Sequence, residues 1–150
     1  MKKTEVQLLE EEFRKGNKEA YYNLGYIYLL GQGVDINEKK AVEYFRKGST
    51  HQNTKCMQGL AMCYKHGDGV EVDLEKTIYW LNQGIKLNDD DCKYQLALCY
   101  EHGIGVTKDF DQAVKLMKEI EKKHKDARKW LKEHGIKTKS IFDRLFGEQL

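Results

Sequence analysis

Two short motifs carry the soft-ligand chemistry of this chain, Cys63-x2-His66 and Cys99-x2-His102. Two thiolates and two imidazoles are a donor set of the kind that holds zinc, through bonds of roughly 2.0–2.3 Å. Both motifs fall at the same point of a repeated sequence, however, and helices about 8–10 Å apart keep donors of neighbouring units from closing on one ion. No metal or other cofactor is expected, and His66 and His102 read as exposed contact residues beside a glycine turn. Three G-x-G triplets, Gly31/Gly33, Gly67/Gly69 and Gly103/Gly105, lack the third glycine and the preceding strand of a phosphate-binding loop. The chain has no HExxH, nucleophile elbow or P-loop. Its carboxylates fall at helix caps or on outer faces, with no pair set apart for acid–base work. Catalysis is not expected.

The elements that would position such residues follow from composition and period. Of 150 residues, 40% are hydrophobic and 33% are charged, with no proline and a net charge of +2. That balance supports a single folded domain and excludes a disordered or collagen-like chain. It gives no general attraction to nucleic acid. The basic cluster of Lys122, Lys123, Lys125, Arg128, Lys129 and Lys132 is interleaved with Glu119, Glu121 and Asp126, and reads as a solvated face. No apolar run is long enough for a membrane span. The opening MKKTEVQLLEEEF lacks the apolar stretch of a secretory signal, so the expected address is the cytoplasm, with reduced cysteines.

The sequence returns on itself every 36 residues, at Ala20, Cys56 and Cys92. Asn17, Asn53 and Asp89 are placed to cap a first helix, A, whose Leu24, Leu60 and Leu96 stand four residues before Tyr28, Tyr64 and Tyr100. That spacing makes one buried stripe. Gly25, Ala61 and Ala97 are small enough to admit a neighbouring helix. The glycine pairs end helix A, and Asn37, Asp73 and Asp109 cap an antiparallel helix B with Ala41/Phe45, Thr77/Leu81 and Ala113/Met117 on its apolar stripe, Val42, Ile78 and Val114 alongside. A single hairpin cannot bury its apolar faces, so the units must stack. The expected class is all-α, an αα-hairpin solenoid in one domain over 1–150. An N-terminal cap over 1–19 is closed by Val6, Leu8, Leu9 and Phe13. Repeats follow at 20–55, 56–91 and 92–125. A C-terminal cap and tail over 126–150 brings Trp130 and Leu131 to the core, with Gly135 ending the last helix.

The run A-x3-L-G-x2-Y-x2-G-x-G-V from Ala20 to Val34, and D-x3-A from Asp109 to Ala113, resemble the Sel1-like repeat family, relatives of the tetratricopeptide repeats. The resemblance implies a superhelical binding scaffold or adaptor, often in bacterial signalling or host interaction, and in some small members neutralisation of a toxin, as an immunity protein does. Secreted members are cross-linked between consecutive repeats. Here Cys56 and Cys92 occupy one end of such a bridge, while the other is filled by Gly48, Ser49 and Thr50 or by Gly84, Ile85 and Lys86. That ladder is not expected, and Cys63 and Cys99 read as small buried apolar residues.

In such arrays helix A lines the concave surface. Its residues off the leucine stripe are Tyr22, Tyr26 and Leu29 in the first unit, Gln58, Met62 and Lys65 in the second, and Tyr94, Leu98 and Glu101 in the third. With His66 and His102 they form the expected docking surface for a protein partner, the competing reading being packing between adjacent A helices. The alternative function is a hydrolase or binder of cell-wall-like small molecules, which requires a polar pocket instead. The tail SIFDRLFGEQL places Ile141, Phe142, Leu145 and Phe146 on one helical face, either covering the last repeat or docking a partner or a second copy of the chain.

Overall fold

The computed structural model describes residues 4–138. Among the described residues there are eight helices and no strand: α1 (Glu5–Arg14), α2 (Lys18–Leu30), α3 (Glu38–Thr50), α4 (Thr54–His66), α5 (Leu74–Lys86), α6 (Asp90–His102), α7 (Phe110–Ile120) and α8 (Lys125–Glu133). The hairpins α2/α3, α4/α5 and α6/α7 are the A/B pairs of the three repeats. The chain divides into two compact units, one ending at Asp89 and the other beginning at Asp90. The tail carrying Ile141, Phe142, Leu145 and Phe146 lies outside the described residues.

Side-chain caps start the helices where the polar residues were placed. Asn17, Asn37, Asn53, Asp73 and Asp109 each accept from a backbone N–H of the first turn. Thr4 and Gln7 form a reciprocal capping box on α1. The A helices end where Gly31 and Gly67 turn left-handed, at φ of 69° and 82°. Each A-to-B turn then closes with the same bond: the N–H of Asn37, Asp73 and Asp109 donates to the carbonyl of Tyr28, Tyr64 and Tyr100 at 2.8, 2.9 and 2.9 Å. One backbone solution serves all three repeats, in keeping with a 36-residue period that carries no insertion.

In the first unit, α1 packs on α2, α2 on α3 and α4, α3 on α4, and α4 on α5. Leu24, Phe45, Leu60 and Leu81 are fully buried, and one cluster runs through α2, α3 and α4. Val6, Leu9 and Phe13 of α1 pack against it, but Leu8 is half exposed and takes no part in the closure expected of it. Steps of three and four residues along α1 bring Val6, Leu9 and Phe13 to one side and turn Leu8 away. In the second unit, α6 packs on α7 and α7 on α8. Leu96, Met117, Ala127, Trp130 and Leu131 are buried there. Tyr100 stays half-buried, unlike Tyr28 and Tyr64.

Candidate functional site

In the first unit the off-stripe residues of helix A come together on α2 and α4. Tyr22 and Tyr26 stand one turn apart, ring centroids 4.8 Å from each other, and Tyr26 meets Phe45 of α3 edge-on at 5.2 Å. Phe45 reaches this layer because α2 and α4 each present a glycine to it. A Cβ on Gly59 would lie 2.8 Å from the ring, and one on Gly25 closer still. Gln58 and Met62 flank Gly59 along α4. Tyr22, Tyr26, Leu29, Gln58, Met62 and Lys65 are all half-buried, neither sealed in the core nor fully exposed. His66, at the end of α4, is exposed.

The polar groups of this face are partly engaged. Lys55 Nζ sits 5.4 Å from the Tyr22 ring centroid, within cation–π range. Gln58 Nε2 donates to Asp89 Oδ1 at 2.9 Å, tying α4 to the loop that precedes α6. Burial, with smaller contributions from Tyr22, Cys63 and Cys56, pushes the Tyr26 phenol above its ordinary value, so it remains a protonated hydroxyl.

In the second unit the corresponding residues are drawn into docking α8. Tyr94 stacks on His124 at 4.7 Å. His124 Nδ1 accepts from the N–H of Ala127, capping α8, and its Nε2 lies 2.9 Å from Asp91 Oδ1. Glu101 accepts from Trp130 Nε1 at 2.9 Å and lies 3.1 Å from His134 Nε2 and 3.5 Å from His102 Nε2. Leu98 is half-buried and His102 exposed. Sequence reading missed these partners of Tyr94 and Glu101. Trp130 stands 36 residues after Tyr94, so extending the register into the partial fourth A helix is the signal that finds one of them.

All four cysteines are buried, and no disulfide joins them. Burial pushes the thiols of Cys56 and Cys63 up to about 12, helped by Glu19 for the first and by Asp68 and Glu38 for the second. Cys63 is buried and His66 exposed, so the first Cys-x2-His motif does not present its donors to one space. Among the described residues no three of His, Cys, Asp and Glu are grouped to hold a metal ion. No described helix is long and apolar enough to cross a membrane.

Tandem helix hairpins with a shared turn bond, repeated polar caps and a leucine stripe define a helical-repeat scaffold. The Sel1 repeat model matches residues 18–53, 54–89 and 90–123, and the chain belongs to that family. Its fold is the all-α hairpin solenoid class, and members generally serve as non-catalytic scaffolds for protein–protein interaction. Among solved structures, the chain is similar to c5321, a protective antigen of uropathogenic Escherichia coli with an SLR fold, at a TM-score of 0.75 and 24% identity. That match covers 93% of this chain but only 28% of the other. A Sel1 repeat protein from Oxalobacter formigenes gives a TM-score of 0.68 and 27% identity, over 83% of this chain and 95% of that one. Helicobacter pylori cysteine rich protein B gives 0.65 and 23%, over 85% and 98%. No curated protein sequence matches the chain.

Proposed function

We propose that this chain is a non-catalytic cytoplasmic module that captures a protein partner through its helix A residues, as a small adaptor or as an inhibitor of the immunity-protein kind. The observation that carries the reading is the α2/α4 layer. Tyr22, Tyr26, Leu29 and Met62 are large, half-buried and adjacent to two glycines that let the helices approach. Tyrosine and methionine bury large areas at interfaces, and methionine adapts its shape to what it meets. In the second unit Tyr94, Leu98 and His102 occupy the equivalent repeat positions, with Glu101 held by Trp130.

Tyr22, Tyr26 and Leu29 also pack in part against the buried cluster, Tyr26 on Phe45 itself, and Tyr94 stacks on His124, so loss of binding counts only where the fold is kept. Tyr22→Ala with Met62→Ala is the test variant. Affinity capture followed by mass spectrometry should recover a partner with the native chain and lose it with this variant, while the helical circular dichroism is kept. Undiminished capture by the variant refutes the α2/α4 docking surface. One partner bound at about nanomolar Kd, with its own activity lost on binding, identifies an inhibitor; several partners at about micromolar Kd identify an adaptor.

A further inference from the structure

The second repeat carries an open cavity that the helix A reading does not use. It measures about 450 Å³ and is lined by Tyr64, Asp73, Glu75, Lys76, Tyr79 and Trp80, where the end of α4 meets the first half of α5. Thirty-six residues earlier the same positions hold Tyr28, Asn37, Lys39, Lys40, Glu43 and Tyr44. Two lysines against one glutamate in the first repeat become two carboxylates against one lysine in the second, with a third aromatic ring added. The lining has changed sign.

The first repeat shows what this place accommodates. Lys40 Nζ lies 3.9 Å from the Tyr28 ring centroid and 5.9 Å from that of Tyr44, a cation shared by two stacked rings, and Glu10 of α1 accepts from it at 3.3 Å. In the second repeat the equivalent lysine is drawn aside. Asp73 stands where the first repeat has the neutral Asn37; its Oδ1 caps α5 and its Oδ2 takes Lys76 Nζ at 2.8 Å. Lys76 keeps the Tyr64 ring at 5.2 Å, and among the described residues no cation lies over Trp80. With Lys76 balanced by Asp73, the charge left in the lining is that of Glu75, which no ion pair engages among the described residues. Arg46 of α3 donates to the Tyr64 hydroxyl at 3.0 Å and is not part of the lining. Glu75 and Tyr79 are exposed one turn apart on α5, and Tyr79 meets Trp80 edge-on at 5.2 Å. A carboxylate without a counter-ion beside two crossed aromatic rings is complementary to a cation.

We propose that this cavity binds an arginine side chain presented by a protein partner. The guanidinium lies against Trp80 and Tyr79, in the place that the lysine holds in the first repeat, and pairs with the Glu75 carboxylate. Indole attracts a cation more strongly than the other aromatic rings do. A planar guanidinium stacks on such a ring and still offers paired N–H donors to a carboxylate, which an ammonium does not. The site is separate from the helix A surface and stands whether or not that surface binds.

The test uses the intact ¹⁵N-labelled chain and two capped tripeptides, acetyl-Gly-Arg-Gly-amide and its counterpart with citrulline, which keeps the shape of arginine without the charge, followed by NMR. The arginyl probe should shift the Trp80 indole N–H saturably, with Trp130 as internal reference, and bind about tenfold or more tightly than the citrullinyl probe. Glu75→Gln should bring the two affinities together, and Glu75→Lys, which restores the lysine of the first repeat, should abolish binding. Glu75 is exposed, so both variants are expected to keep the fold; Tyr79→Ala, at a residue 54% exposed, provides a second, independent loss of affinity. Equal affinity for the two probes, no saturable Trp80 shift, undiminished binding by Glu75→Lys, or shifts confined to Tyr22, Tyr26 and Met62 would each overturn the proposal.

Discussion

Phe45 lies fully buried between glycines on two different helices, Gly25 in its own repeat and Gly59 in the next. Within the chain the residue at the Gly25 position tracks the one at the Phe45 position: glycine with phenylalanine, Ala61 with Leu81, Ala97 with Met117. A methyl group is tolerated where the facing side chain is smaller. Gly25→Ala should therefore destabilise the protein by about 1–3 kcal/mol through overpacking, and Phe45→Leu in the same chain should recover most of that loss in urea unfolding. The Gly25 side of this fit was legible, since a small residue recurs there. Gly59 was not, because it answers a side chain from the preceding repeat while its own register holds Asn23 and Gln95. The cysteines give a second prediction at this scale. With the Cys56 and Cys63 thiols pushed up to about 12, thiolate is scarce at neutral pH. A disulfide reagent absorbing in the visible should label them slowly in the native chain and at once in denaturant; rapid native labelling would contradict their burial.

At the scale of elements, the first and last of the described helices are attached by different chemistry. Helix α1 sits in the register of a B helix and joins the first repeat through Phe13, edge-on to Tyr21 and Tyr44, and through Glu10 on Tyr28 and Lys40. Burial pushes the Glu10 carboxyl up, but hydrogen bonds from Tyr28 and Lys40 and the charges of Lys40 and Arg14 outweigh it and hold it below its ordinary value. A depressed carboxyl stabilises the fold above its unfolded pKa, and that contribution disappears as pH falls through the folded value. The native chain should thus lose more stability than Glu10→Gln on acidification from about pH 5 to about pH 3. Parallel losses in the two proteins would show that Glu10 does not hold α1. Helix α8 is attached instead by Trp130 to Glu101. Sequence alone showed that Trp130 and Leu131 close a core, since an apolar pair in helical register needs only burial. The indole bond was hidden because its acceptor lies in the previous A helix, 29 residues back and outside the repeat's own stripe.

For the molecule as a whole, the hairpin is the unit of sequence but not of the core. Tyr21, Leu24 and Tyr28 of α2, Val42, Tyr44 and Phe45 of α3, and Cys56, Leu60, Cys63 and Tyr64 of α4 belong to one buried cluster that ignores the boundary between the first two repeats. The period implied stacking in general terms, because each hairpin leaves an apolar side uncovered. Which residues interlock depends on side-chain size at the facing positions, and the period does not carry that information. Leu60 is fully buried near the middle of this cluster, with α3 and α5 both packed on its helix. Leu60→Ala should cost about 2–5 kcal/mol, the lost transfer energy plus the cavity left behind. If the cluster is one cooperative body, native-state hydrogen exchange should quicken together in α2, α3 and α4, and in α1 through its contacts with the same core. Acceleration confined to α4 and α5 would instead make the second hairpin a separate folding unit, and the continuous core across the first two repeats would lose its energetic meaning.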